Sequence, residues 1–324
     1  MIFPELDLRE ISPYFPAHLG DVARRIGCFR IRHPLFSRPR CEDVIGRARE
    51  FFALPAEQKQ RLAIEQSPHF RGYSVMESRR DWREQIHFGT EEAARCTPPF
   101  YEQLRGPNLW PVDCSWRTFA LGLMDDFETV GRDVLAALAL ALELPPTRFL
   151  PGAEVPYRLL KLIHYRGSTG SPRSGVAPHV DFSWITLLLE DQTGGLEVRI
   201  PDGSWIPVPP IPGTLLVNIG EILEFASGGV YRATPHRVVT GARSRVSLPF
   251  FLNPALDARI EPVRLASSPP DREPDPLHVH RVFSQPRETP FAFGDEEWQR
   301  KGLGKYCESC CAEAPVTAAN AAYR

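Results

Sequence analysis

Two histidines and an aspartate are the residues of this sequence best placed to do chemistry. His179-Val180-Asp181 stands just before an apolar run, and His236 follows 55 residues after Asp181. In extended backbone, residues i and i+2 point to the same side, so His179 and Asp181 present an imidazole and a carboxylate to one point. Two imidazoles and one carboxylate on one face of a metal leave three coordination positions open. That arrangement suits non-haem Fe(II), which must hold a cosubstrate and O2 together. A His-x-Asp pair by itself is commoner as a structural pair, and a distant histidine changes this only modestly. A second donor cluster, His278-Val279-His280 with Cys307-x-x-Cys310-Cys311, has zinc-type ligands. It lacks a matching second cysteine pair, and reduced thiols are the better account of it.

The elements that must position these groups change character along the chain. Helical spacing marks 21–25, 40–52 and 115–144, the last stopped by Pro145-Pro146. The runs 28–32 and 82–88 alternate as strands do, with a charged loop, Glu77 to Asp81, before the second. From Tyr157 onward the period is two, with strand-like runs at 158–165, 184–189, 196–200, 214–219 and 245–252. Gly194-Gly195 and Asp202-Gly203 are hairpin turn signals. Helices followed by a block of short strands predict an α+β chain whose β portion is a sandwich or barrel.

The words around the candidate ligands are His179-x-Asp181, Ile185-Thr186-Leu187-Leu188, Gly194-Gly195-Leu196-Glu197-Val198, Asn218-Ile219-Gly220-Glu221, His236-Arg237-Val238 and Arg245-x-Ser247. Upstream stand Gly27-Cys28-Phe29-x-Ile31 and Glu50-Phe51-Phe52-x-Leu54-Pro55, followed by Lys59. Together they resemble the iron- and 2-oxoglutarate-dependent dioxygenases of the isopenicillin N synthase-like family, over nearly the whole chain up to about Asn253. The resemblance implies a double-stranded β-helix, or jelly roll, with flanking helices. It implies that His179, Asp181 and His236 ligate Fe(II), and that Arg245 and Ser247 bind the distal carboxylate of 2-oxoglutarate, assisted by Tyr165. A guanidinium fork suits a carboxylate bidentately and the hydroxyl adds a donor. Many plant members carry asparagine where Ile163 stands, so no polar role goes to Ile163. The implied reaction consumes O2 and 2-oxoglutarate, yields succinate and CO2, and oxidises a substrate C–H bond by hydroxylation, desaturation or cyclisation. The alternative within the fold is an oxidase that does without 2-oxoglutarate, since isopenicillin N synthase itself keeps the Arg-x-Ser pair. A non-catalytic metal-binding module is a third reading, disfavoured by the intact ligands and the intact Arg245 and Ser247.

Alternation also supplies candidates for a substrate wall. Gln85 and His87 share a face of their strand, Phe251 and Asn253 lie on the side of Arg245, and Lys161 shares inward parity with Tyr165. Phe182 and Trp184 flank Asp181, although Trp184 and Phe251 suit a core as well. This mixture favours a polar small molecule, such as an amino-acid derivative, over a bare hydrocarbon.

The domain reading is a single oxygenase domain over 1–324: a mainly helical region at 1–150, a jelly-roll core at 157–255, and a proline-rich extension at 256–324. A net charge of −2 and the absence of an arginine run interleaved with aromatics argue against nucleic acid or an anionic membrane as partner. All but four of the 38 basic residues are arginine. No apolar run reaches the eighteen or more residues of a membrane span. The seven cysteines lack framework spacing, which with the acidic N-terminus reads as a reduced, cytoplasmic protein.

Overall fold

The computed structural model describes residues 3–9, 12–95, 98–150, 155–168, 170–264, 282–283 and 289–301. Among them the strands are β1 (Glu5–Asp7), β2 (Cys28–Arg32), β3 (Gly72–Glu77), β4 (Trp82–Gly89), β5 (Arg158–Tyr165), β6 (Arg173–His179) and β7 (Ile185–Glu190). Then follow β8 (Leu196–Arg199), β9 (Trp205–Pro207), β10 (Leu215–Ile219), β11 (His236–Thr240), β12 (Arg245–Leu252), β13 (Arg259–Ile260) and β14 (Phe291–Ala292). The helices are α1 (Phe15–Ile26), α2 (Arg38–Ala53), α3 (Ala56–Gln60), α4 (Ser115–Leu140), α5 (Glu221–Ala226) and α6 (Phe293–Arg300).

Two sheets face each other as a jelly roll. The major sheet runs β1-β2-β10-β7-β12-β5-β4-β3 and the minor one β6-β11-β8-β9. Strand alternation assigns each major-sheet residue to one of two environments. The outward set, including Phe29, Ile86, Leu160, Leu187, Val217 and Phe250, joins the core shared with the helices. Helix α4 lies across that face, with Phe127 stacked on Phe250 at 5.2 Å between ring centroids. The inward set meets the minor sheet: Cys28, Ile163, Tyr165, Leu188 and Leu216 pack with Leu196, Val198 and Val238. The same parity turns Arg30, Glu190, Arg245, Ser247, Lys161, His87 and Gln85 inward.

The region before residue 150 contributes β1 to β4 to the major sheet besides its helices. Asp202-Gly203 closes the β8–β9 hairpin. Gly194-Gly195, also at positive φ, instead carries the chain from β7 in one sheet to β8 in the other. Strands β6 and β11 were not read from sequence. β6 is an edge strand containing Gly175 and Pro178, and β11 follows Pro235 and has an irregular register, features that mask a strand signal.

On the outward side Glu84 of β4 ties the N-terminal helices to the sheet. Its carboxylate accepts hydrogen bonds from Lys59 Nζ (2.7 Å) and the Tyr73 hydroxyl (2.6 Å), and its other oxygen meets His164 Nδ1 at 2.8 Å. Lys59 also donates to the Phe52 carbonyl. Lys59 thus has a role as counter-ion to a buried carboxylate. Burial pushes the Glu84 carboxyl up, but the bonds from His164, Lys59 and Tyr73 outweigh it and bring the pKa from 4.5 to about 2. The folded value lies below the unfolded one, so this stabilisation is present above pH 4.5 and fades as pH falls toward 2. Glu84→Gln leaves Lys59 without its anion, a loss of about 3 kcal/mol. In urea unfolding the variant is expected to trail the wild type by that amount at neutral pH, with the gap narrowing in acid. An equal gap at both contradicts the assignment.

Candidate active site

The metal-ligand candidates converge although they come from different elements. His179 ends β6 and His236 begins β11, and the two are direct partners across that strand pair. Their ring centroids lie 4.2 Å apart. Asp181 sits in the turn between β6 and β7, with its Oδ1 3.5 Å from His179 Nε2 and its Oδ2 3.6 Å from His236 Nε2. Asp181 and His236 are buried, whereas the His179 side chain, 27% exposed, forms the open edge. The turn is held by the start of α5: Glu221 N–H donates to the Asp181 carbonyl (2.8 Å) and Ile222 N–H to that of Ser183 (3.2 Å). Gly220 is required there, since a Cβ would fall 2.1 Å from the Ser183 carbonyl oxygen. This close approach gives the Asn218-Ile219-Gly220-Glu221 word its physical meaning.

Each imidazole is fixed by its other nitrogen. His179 Nδ1 lies 2.9 Å from the Ala177 carbonyl and His236 Nδ1 lies 3.1 Å from that of Thr234. With Nδ1–H donated to those carbonyls, each Nε2 keeps its lone pair for a metal. Burial pushes the Asp181 carboxyl up, but His236 and His179 beside it more than offset this and hold it well below the usual carboxylate range. Burial, and then His179, push His236 down to about 4. A carboxylate at Asp181 and a neutral ring at His236 are forms that bind metal. Asp181 Oδ2 is buried without a hydrogen-bond partner, and the three ligand atoms lie within 4.8 Å of one another. The donor set fits a divalent cation. Among the described residues it is the one such group; His278, His280, Cys307, Cys310 and Cys311 lie outside them.

Further along the inward face stands a second constellation. Arg245, 3% exposed, donates to Ser247 Oγ (3.1 Å), and its guanidinium carbon lies 5.0 Å from the Tyr165 ring centroid. Its Nη2 donates to Glu190 Oε2 at 2.7 Å, while Glu190 Oε1 accepts from Arg30 Nη2 at 2.6 Å. Sequence reasoning missed Arg30 and Glu190. The signal available was parity: Glu190 alternates with Thr186 and Leu188 on the inward face of β7. Two guanidinium groups around one carboxylate leave a net positive charge, and Nε of both arginines is buried without a partner. The Cys28 thiol, pushed up by burial, feels Arg30, Glu190 and Asp181, so both constellations border one interior space.

The other candidates divide. Gln85, His87 and Lys161 lie on the inward face, with His87 opposite Lys161 and Gln85 opposite Ile163. Lys161 Nζ stands 5.2 Å from the Phe251 ring centroid. Asn253 is engaged structurally, donating to the Tyr157 carbonyl at 2.9 Å. Phe182 belongs to an aromatic cluster with Phe283, Phe291 and Phe293. Trp184 packs against Phe149 and lines a separate cavity with Leu150 and Ile260.

Comparison with known proteins agrees with this geometry. Residues 157–254 match the 2OG-Fe(II) oxygenase superfamily, and residues 4–113 match the N-terminal region of the non-haem dioxygenases in morphine synthesis. A 2-oxoglutarate-dependent dioxygenase from Gibberella zeae is 32% identical over 291 residues, covering 76% of this chain and 72% of that one. A homoarginine-6-hydroxylase from Oryza sativa is 32% identical over 259 residues, covering 76% and 79%. A solved 2OG-Fe(II) oxygenase family protein from Caulobacter crescentus superposes with a TM-score of 0.75 at 28% identity, covering 94% and 99%. The chain belongs to the 2OG-Fe(II) oxygenase superfamily. It is an Fe(II)- and 2-oxoglutarate-dependent dioxygenase, and the relatives support this reading over the 2-oxoglutarate-free oxidase.

Glu190→Gln removes the anion from between two buried arginines. The expected cost is about 3–5 kcal/mol, read as a lowered urea midpoint; an unchanged midpoint contradicts the bridging role.

Proposed function

We propose that His179, Asp181 and His236 hold the Fe(II), and that Arg245 and Ser247, beside Tyr165, hold the distal carboxylate of 2-oxoglutarate. The observation that carries this is the convergence of three ligand atoms within 4.8 Å, one of them on a buried carboxylate with an unpartnered oxygen. Once bound, iron and 2-oxoglutarate would supply oxidising power with O2 as the oxidant, one oxygen atom going into succinate as CO2 leaves and the other into the oxidised product or water. The protein's part is binding and orientation. The Nδ1 bonds to Ala177 and Thr234 fix the planes of the imidazoles. Glu190, itself held by Arg30, fixes the Arg245 fork. The net positive charge around Glu190 favours one incoming carboxylate, which finds the Ser247 hydroxyl and the free Arg245 Nε–H. Ile163, 6% exposed, makes an apolar wall there.

The substrate in this proposal is a small molecule of secondary or amino-acid-derived metabolism, oxidised at one C–H bond by hydroxylation, desaturation or cyclisation. Gln85, His87 and Lys161 support a polar wall on the inward face, with the Phe251 ring beside Lys161. The whole chain, 1–324, is read as one oxygenase domain. No helix among the described residues is long and apolar enough to cross a membrane. A reducing, cytoplasmic setting belongs to the same proposal, supported by Cys28, Cys41 and Cys114 standing as free thiols.

Anaerobic mixing of the protein with Fe(II) and 2-oxoglutarate tests the ligand assignment. A visible charge-transfer band is expected for the wild type and its loss in His179→Ala and His236→Ala; no band in the wild type overturns the chelate. Arg245→Leu removes a charge-assisted hydrogen bond of about 1.5–3 kcal/mol, so the KM for 2-oxoglutarate should rise at least roughly tenfold. O2 uptake without succinate would contradict the cosubstrate role.

A further inference from the structure

The inward end of β4 and β5 gathers positive charge around an unpartnered imidazole. Arg71 is 1% exposed, yet its guanidinium meets only neutral acceptors: the carbonyls of His69 (3.0 Å) and Leu104 (3.1 Å) and the Tyr157 hydroxyl (3.4 Å). Its Nε is buried without a partner, and among the described residues no carboxylate pairs with it. A buried cation of this kind ordinarily meets an anion. The position of the guanidinium follows from Gly89. A Cβ there would lie 2.0 Å from the Arg71 guanidinium carbon, so the guanidinium fills the space of a side chain at position 89. Residue 89 shares the inward face with residue 87, which places Arg71 beside His87.

His87 is 2% exposed and its Nε2 has no hydrogen-bond partner. Lys161 stands directly opposite it on β5. Burial, and then the charges of Lys161, Lys301, Arg71 and Arg83, hold the imidazole well below its ordinary pKa, hence neutral. Arg83 is matched by Asp81 and Lys301 by Glu297, whereas Arg71 meets no anion. An anion is what Arg71 lacks, and a carboxylate costs less to bury there than a phosphate monoester, which carries nearly two charges.

We propose that this enzyme acts on carboxylic acids, with the substrate carboxylate held by His87, Arg71 and Lys161 and its carbon skeleton laid over Phe251. The inference rests on the iron and 2-oxoglutarate assignment above and deepens it by naming the substrate class.

The test is a thermal-shift and calorimetric screen of enzyme loaded with Mn(II) and saturating 2-oxoglutarate, which keeps the cosubstrate site filled. The probes are arylacetic acids, N-acyl amino acids and short aliphatic acids, each beside its carboxamide and its matched phosphate monoester. The expected result is that the strongest stabilisers are acids, binding about tenfold or more tightly than their amides. That preference should shrink to about threefold or less in His87→Leu and Lys161→Met, two variants that leave the Arg71 carbonyl bonds intact. Neutral or phosphorylated compounds heading the ranking, no acid binding, or an acid preference undiminished in both variants each overturns the proposal. The anaerobic charge-transfer band separates the two levels. If it forms while acids fail, the carboxylate proposal falls alone; if it is absent, the iron assignment falls with it.

Discussion

Burying a guanidinium costs several kcal/mol unless an anion meets it, and the middle of the major sheet turns two of them inward, Arg30 and Arg245, from strands far apart in the chain. Glu190 meets both, at 2.6 and 2.7 Å. One carboxylate therefore joins β2, β7 and β12 across the middle of the major sheet. It also sets the charge of the interior. Two cations against one anion make a site that favours one further carboxylate, beside a hydroxyl and an unpartnered N–H. On the proposed assignment that carboxylate belongs to 2-oxoglutarate, and a structural salt bridge and a cosubstrate site are one device.

The alternation of the strands is what lets such chemistry exist inside a stable fold. Each strand of the major sheet gives its apolar side to the helices and its other side to the interior. On β4 this separates a charge that serves stability from a group left open to the interior. Glu84 and His87 are three residues apart on β4 and face opposite directions. Glu84 is satisfied by Lys59, Tyr73 and His164, whereas His87 Nε2 has no partner. The saturated polar group faces the helices and the unsatisfied one faces the interior.

Much of this was legible in the sequence, because alternation and short motifs are local properties. The β5 and β12 runs were read to the residue, and β2 likewise. The triad and the Arg-x-Ser pair stood out as words. What escaped depended on distant partners or on backbone approach. Arg30 and Glu190 are 160 residues apart, and neither local sequence marks a buried pair. Arg71 precedes a strand and is carried inward only because Gly89 leaves room. The strands bearing the two histidines were hidden by Gly175, Pro178 and Pro235, which an edge strand and an irregular one tolerate. Trp184 flanks Asp181 in sequence but turns into a separate cavity, and Asn253 is spent on the backbone of Tyr157. Adjacency in sequence misled for Trp184, and parity misled for Asn253, which lies just past the end of β12.

The most direct test of this account is an anaerobic crystal structure with Mn(II) in place of Fe(II) and 2-oxoglutarate bound. The account predicts the metal on His179 Nε2, Asp181 and His236 Nε2, with the distal carboxylate of 2-oxoglutarate on Arg245 and Ser247 and Glu190 still bridging Arg30 and Arg245. Metal held by other residues, or a cosubstrate carboxylate lying away from Arg245, would contradict it.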